Sequence, residues 1–196
     1  MSERLRADAR NNRDQIVAAA QIVFREQGVE VSMKEIADRA GVGVGTLYRR
    51  FPDRGALISA AAHAYLSGLA DLAAIARREE SRAWPTLCRF LRECAGLRLG
   101  AMAAALEPTL HADMRSDPAL TEIRGRVAEH VEAMTAQAQA EGDLRTDIGA
   151  MEIARLMTLQ IFVFPDEPYE DAVARMMDII LDGLRAHPDR AAVTPQ

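Results

Sequence analysis

The stretch that decides the fold is Ala40-Gly41-Val42-Gly43-Val44-Gly45-Thr46-Leu47-Tyr48-Arg49-Arg50-Phe51. Gly41 stands where a short helix must stop, because glycine takes the left-handed turn that closes a helix end. A second short helix follows from about Val44 to Phe51. Upstream, Ser32-Met33-Lys34-Glu35 reads as a capping box, a serine N-cap with glutamate three residues later. Ile36, Ala37 and Ala40 then form the apolar face of the first short helix. Further back, Ile16, Ala20, Val23 and Phe24 recur at helical spacing from Arg13 to Gln27, with Gly28 as the stop. The two short helices are too small to fold alone. They gain stability by packing Ile36, Ala40, Val42, Leu47 and Phe51 against Ile16, Val23 and Phe24. That arrangement is a helix-turn-helix head at 13–54.

Downstream, Pro52-Asp53 breaks the chain, and Asp53 caps a long helix through Leu57, Ile58, Ala61, Tyr65 and Leu69 toward Arg78. Trp84-Pro85 opens the next helix, proline being suited to a first turn, with Leu87, Phe90, Leu91, Cys94 and Leu97 on one face. A shorter helix covers Leu99 to Leu106. Asp117-Pro118 opens another, with Ile123, Val127, His130, Val131 and Met134 as its stripe and Gly142 as its stop. Asp147 is expected to cap a helix through Ile153, Leu156, Met157, Gln160 and Ile161 that Pro165 ends. Glu167-Pro168 begins the last, through Val173, Met176, Met177, Ile180, Leu181 and Leu184. The pattern predicts an all-α chain of about nine helices. Its expected divisions are a flexible basic arm at 1–12, the head at 13–54, a helical body at 55–187 and a disordered tail at 188–196.

Composition agrees: hydrophobic residues make up 49% and charged residues 27%, while aromatics are only 5%, so β-branched and aromatic strand formers are scarce. No apolar stretch is read as approaching the roughly 18 residues a bilayer span needs, and Met1 to Arg13 is too charged for a signal peptide. A cytoplasmic location, with no membrane partner, is the expectation. Cys88 and Cys94 lie on different faces of one helix and read as small core residues rather than a disulfide.

The formal net charge is −5, yet residues 1–54 hold ten Lys/Arg against eight acids, so the head carries +2 and the remainder −7. Charge asymmetry of this kind marks a nucleic-acid-facing half. The outward residues of the second short helix supply the chemistry. A helix of that size fits the major groove, where base edges are readable. Gly45 permits close backbone approach, while Val44 and the Thr46 methyl suit thymine methyls. The Tyr48 hydroxyl suits a phosphate. Arg49 and Arg50 reach phosphates or a guanine edge. Helix starts at Ser32 and Asp53 offer amides to phosphates, with Lys34 and Arg54 nearby.

Arg13 to Leu57 resembles the amino-terminal domain of the tetracycline-repressor (TetR) family, and Ala40 to Phe51 is similar to its recognition segment. The resemblance implies DNA contacts from Ser32, Met33 and Lys34 on the second helix, from Val44 to Arg50 on the third, and from Arg54 at the start of the fourth. Two departures stand out. Gly43 replaces a common serine, a change of a few tenths of a kcal/mol at an N-cap, and Arg50 replaces an aromatic or histidine, which leaves the operator sequence open. Farther on, Glu141-Gly142-Asp143-Leu144-Arg145-Thr146-Asp147 looks like the turn many family members carry before their last two helices. In the family those helices form an intersubunit four-helix bundle. The residues expected at a dimer interface here are Ile153, Leu156, Met157, Gln160, Ile161, Val173, Met176, Met177, Ile180, Leu181 and Leu184.

An effector pocket is expected among the body helices, with Trp84, Leu87, Phe90, Leu91, Met102, Leu106, His111, Met114 and Met134 as candidates. Enzyme chemistry is not expected. There is no nucleophile motif, and Gly41, Gly43 and Gly45 lack the preceding strand of a dinucleotide fingerprint. Glu107 and His111 share helical spacing, but Pro108 intervenes, so no metal or other cofactor is expected. The reading is a homodimeric, ligand-responsive regulator, a repressor of a (pseudo)palindromic double-stranded operator released by an unidentified small molecule. The alternative is a dimeric small-molecule-binding or scaffolding protein whose head no longer reads DNA.

Overall fold

In a computed structural model of the chain, eight helices are bounded as follows: α1 Ser2–Gln27, α2 Met33–Arg39, α3 Val44–Arg50, α4 Arg54–Glu79, α5 Ala83–Gly96, α6 Pro118–Ala140, α7 Ala150–Met157 and α8 Tyr169–Leu184. The structure describes residues 2–98, 101–103, 106 and 117–186, the backbone alone for 2–11. Residues 101–103 and 106 are helical, in the place expected for the short helix at 99–106, the rest of which lies outside the described residues, as does the tail at 188–196. Among the described residues no strand occurs, and the fold is all-α as read from the sequence.

The helix punctuation acts where the sequence placed it. Gly41 adopts φ +66°, the Val42 amide reaches back to the Ala37 carbonyl at 3.0 Å and the Gly41 amide to Asp38 at 3.2 Å. These paired bonds close α2 with a left-handed residue that only glycine supplies without strain. Gly142 repeats the device at the end of α6 with φ +78° and a bond from the Asp143 amide to the Ala138 carbonyl of 3.1 Å. Asp53 caps α4 through the Ala56 amide at 2.8 Å, and Asp117 caps α6 through Ala119 at 2.9 Å.

Four sequence expectations need correction. The stretch at 1–12 is not a flexible arm, because α1 already begins at Ser2. Arg4, Leu5, Arg6, Ala7, Ala9 and Arg10 are strong helix formers, and no glycine or proline interrupts the chain before Gly28. Asp147 does not cap α7. Its carboxylate is engaged by the Arg145 guanidinium at 2.5 and 2.6 Å, while Gly149 is the N-cap and its amide is taken by Glu152 at 2.9 Å. Nor does α7 reach Ile161: it stops at Met157. Thr158 and Leu159 donate to carbonyls three residues back, a tightening that ends helices. The β-branched and aromatic run Ile161-Phe162-Val163-Phe164 before Pro165 disfavours further turns. Finally, α4 is long and apolar enough by composition to span a bilayer, contrary to expectation, although half of that stretch is buried inside the protein, as in a core helix.

The chain divides into two units, Met1–Gly68 with Ala101–Ile123, and Leu69–Gly100 with Arg124–Gln196. This differs from a boundary at 54, because α4 contributes to both. In the first unit Ile16, Ala20, Val23, Phe24, Ile36, Ala37, Leu47, Phe51 and Leu57 are buried together in sequence-predicted fashion. Burying a side chain of this size contributes about 1.5–3 kcal/mol. Gln21 donates to the Ala61 carbonyl at 3.2 Å, tying α1 to α4. His63 on α4 meets Asp117 at 2.8 Å, and this bond holds the Asp117 carboxyl below its ordinary range.

The core of the second unit is built on α5, whose Trp84, Leu87, Phe90, Leu91 and Cys94 are buried. α8 packs on α5, with the Tyr169 hydroxyl donating to the Ala95 carbonyl at 2.8 Å and Arg185 lying over the Trp84 ring at 5.2 Å. Both cysteines are buried and unpaired with each other, as expected. Burial pushes the Cys94 thiol up to about 12, so it stays protonated and packs as a small apolar group.

Candidate nucleic-acid interface

Two short helices joined by the four-residue turn Ala40–Gly43 present the outward face of α3. Inward, Leu47 and Phe51 are buried, and the Arg13 guanidinium stacks over the Phe51 ring at 5.2 Å. These anchors fix the roll of α3. Gly45, Tyr48, Arg49 and Arg50 are therefore exposed together, while Val44 and Thr46 are half-buried. At the start of α3 the Thr46 and Leu47 amides bond to the Gly43 carbonyl at 2.8 and 3.1 Å, and no side chain caps the helix. The departure at Gly43 thus removes a cap while leaving the helix intact.

Each side chain on this face has a defined state. Arg49 Nη2 donates to Thr46 Oγ1 at 2.9 Å, so the Thr46 hydroxyl hydrogen remains free to donate outward and the guanidinium is held over the helix. Arg50 makes no contact of this kind among the described residues and projects from the last turn, where α3 is basic. Lys34 is exposed and engages Asp38 one turn along α2 at 2.8 Å. That bond raises its pKa, so Lys34 is charged but must exchange a carboxylate for a phosphate on docking.

Three expected contacts sit differently from the rest. The Met33 side chain is buried, so it anchors α2 and only its backbone faces the helix start. Ser32 uses its hydroxyl to accept the Glu35 amide at 3.1 Å. Arg54 Nη1 donates to the Val29 carbonyl at 2.5 Å and also to the Val31 carbonyl, fastening the turn between α1 and α2. Sequence spacing placed Arg54 near phosphates; it could not reveal that unpaired carbonyls in that turn compete for it. Arg13, missed by the sequence reading of the interface, is the residue that braces the end of α3.

Known proteins share this head. A model of bacterial regulatory proteins of the tetR family matches residues 16–61. A model of the C-terminal domain of SbtR-like transcriptional regulators matches residues 81–186, more than half of the chain. The chain belongs to the TetR family of transcriptional regulators. A solved TetR transcriptional regulator from Streptomyces coelicolor is 32% identical, with 89% of this chain and 98% of that one covered at a TM-score of 0.64. A TetR transcription regulatory protein from Mycobacterium vanbaalenii is 30% identical, with 92% and 99% covered at a TM-score of 0.67. An HTH-type transcriptional regulator from Staphylococcus aureus strain USA300 is 48% identical over 54 residues, 27% of this chain and 29% of the relative. The TetR-family chain thus matches under a third of that curated relative's length.

In the body of this TetR-family regulator, the residues expected to line a pocket are packed as core. Trp84, Leu87, Phe90, Leu91 and Met134 are buried in the second unit, and Met102 and Leu106 in the first. His111 and Met114, like Glu107 and Pro108, lie outside the described residues. Met134 alone of the set borders a described cavity, of about 180 Å³, beside the α4–α5 turn. Of the residues expected at the dimer interface, Ile153, Met157, Val173, Met177, Leu181 and Leu184 are buried within the unit itself. Leu156, Ile161 and Ile180 are half-buried, and Gln160 and Met176 exposed. The most exposed large apolar residues described, none of them in that set, are Phe162 at 86%, Phe164 at 79%, Ile179 at 67% and Met151 at 65% exposure. The sequence reading left out the two phenylalanines because it continued the helix up to Pro165 with Ile153, Leu156, Met157, Gln160 and Ile161 as its stripe.

Proposed function

We propose that the protein acts as a homodimeric repressor that grips a two-fold-related operator and is released when a small molecule occupies its second unit. The observation that carries this reading is the single outward face of α3, where Tyr48, Arg49 and Arg50 stand exposed beside Gly45. An α-helix of this width enters the major groove, and side chains of these types bond phosphates and guanine edges. Pairing two heads matches half-sites about one turn or more apart. The high exposure of Met151, Phe162, Phe164 and Ile179 supports self-association, in which such large apolar side chains would be removed from water. α4 runs from Arg54 in the first unit to Glu79 in the second, and α6 likewise belongs to both, so these two helices are continuous between the units. An effector acts only by binding the two states unequally.

The test is operator binding by fluorescence anisotropy, on DNA flanking the gene. Tyr48→Phe weakens binding about 2- to 10-fold and Arg50→Ala about 10- to 150-fold, the ranges of one lost neutral and one lost charge-assisted hydrogen bond, while the circular dichroism and oligomeric state stay unchanged. With Lys34, Arg49 and Arg50 from each of two heads, log affinity against log salt has a slope of roughly −5. Unchanged affinity in both variants, or a flat salt dependence, overturns the assignment of this face.

A further inference from the structure

The cavity of about 180 Å³ in the second unit carries a chemical preference that its position beside a turn does not explain. Its walls bring Arg77 from the end of α4 and Ser81 from the α4–α5 turn opposite Met134 and Gln137 of α6, with Ala83 and Thr86 of α5 between them. Met134, Ala83 and Thr86 are buried; Met134 and Ala83 supply the apolar part of a lining that is otherwise mainly polar. Arg77 and Ser81 are exposed at the rim.

The other charged groups of the wall belong to ion-pair networks, in which Arg89 is shared by Glu79, Glu80 and Glu93. Arg82 engages Asp143 at 2.8 Å and lies 3.6 Å from Glu141, and Glu80 lies 3.6 Å from Arg89. Thr86 donates its hydroxyl to the Arg82 carbonyl at 2.7 Å, and the Gln137 amide donates to Glu141 at 2.9 Å. Arg77 differs. Its Nη1 meets His130 Nδ1 at 2.9 Å, and because a guanidinium only donates, that nitrogen accepts and the imidazole is neutral. Burial and the Arg77 charge itself hold the His130 pKa down, consistent with that state. The bond therefore orients the guanidinium without cancelling its charge.

We infer that this cavity is a binding site for a small organic carboxylate, its anionic head on Arg77 and Ser81 and its short apolar body on Met134 and Ala83. Bidentate carboxylate capture is what an oriented guanidinium does best. The volume sets only the size of the guest, since about 150 Å³ is room enough for a benzene ring. An acid of benzoate dimensions fits; a drug-sized molecule does not. The inference deepens the effector reading above and rests on it for its regulatory consequence alone, because binding is measurable without DNA.

The experiment uses the full chain with ¹³C-methyl-labelled methionine, titrated with benzoate and, separately, with hexanoate. The neutral benzamide and hexanamide serve as controls. The Met134 methyl resonance shifts saturably with at least one acid and not with its amide. Arg77→Gln weakens that binding at least tenfold, and Arg77→Lys restores part of it by returning the charge without the planar fork. Absence of a Met134 shift with both acids, equal binding of acid and amide, or undiminished binding to Arg77→Gln overturns the site. Operator anisotropy is then repeated with the bound acid. Release of DNA joins the site to regulation, whereas binding at Met134 without release keeps the site and overturns its role as the effector site.

Discussion

Gly41 and Gly45, one helical turn of sequence apart in the head, give opposite results when each is replaced by alanine. Gly41 holds φ +66°, and an added Cβ there meets no atom within 4 Å, so the whole penalty is backbone strain. A non-glycine residue in the left-handed region costs about 1–2 kcal/mol. Gly45 lies inside α3 with no positive φ, and its added Cβ also meets nothing within 4 Å. Alanine there should stabilise the free protein by up to about 1 kcal/mol through helix propensity. For a chain of this length 1 kcal/mol shifts Tm by about 2–4 °C. Gly41→Ala therefore melts about 2–8 °C lower, and Gly45→Ala melts as wild type or up to about 4 °C higher, by circular dichroism at 222 nm. Operator anisotropy reverses the order of harm: Gly45→Ala places a methyl on the face that approaches the groove and weakens binding, although its fold is sounder. Gly41→Asn, which tolerates the left-handed region, recovers part of the loss. A Gly41→Ala protein that melts with wild type, or a Gly45→Ala protein that melts lower while binding DNA normally, refutes this division of labour between turn and recognition face.

Arg54→Ala removes the donor held by the Val29 and Val31 carbonyls; leaving part-buried carbonyls unpaired costs roughly 1–3 kcal/mol, so Tm falls. A variant that melts as wild type but loses DNA binding would instead make Arg54 a phosphate contact. The folded state holds the His130 pKa below its ordinary 6.5, chiefly through burial and then through Arg77. The unfolded chain thus takes up the proton first, and this contribution to stability is complete above pH 6.5 and declines as the pH falls below it. Chemical denaturation between pH 7.5 and 5 should show a steeper loss for wild type than for His130→Gln, and parallel curves would contradict it. Phe162→Ser with Phe164→Ser, at positions 86% and 79% exposed, should leave Tm of the isolated chain little changed yet shift sedimentation from dimer toward monomer. An unaltered dimer would place the interface elsewhere.

The head was legible in the sequence because its devices are local. Ser32 and Gly41 act through neighbours a few residues away, and helical periodicity marks Leu47 and Phe51 as the inward side of α3. What escaped depended on distant partners. Arg54 is claimed by carbonyls more than twenty residues upstream, and Met33 is turned inward by the packing of α2. The end of α7 was misplaced because an apolar stripe at helical spacing is the same string as a β-branched, aromatic segment that leaves the helix at Thr158. The body residues Trp84, Leu87, Phe90 and Leu91 were rightly marked as apolar and inward. Only the packing of α5 could distinguish filled core from the walls of a cavity, and the charged rim at Arg77 gave no periodic signal at all.

The bonds that join the head to α4 matter for anyone building hybrid regulators. Cutting at the end of α3 would strand the turn after α1, whose carbonyls rely on Arg54, and would sever the Gln21 bond to Ala61. His63 and Asp117 add a second seam, contributed by chain that lies far downstream. A transplanted head that ends at residue 53 would carry the right base-reading residues on a loosened frame. The portable module runs through Gly68 and brings the start of α6 with it, so exchange of DNA specificity between relatives is better done by repainting the surface of α3 than by swapping the fragment that contains it.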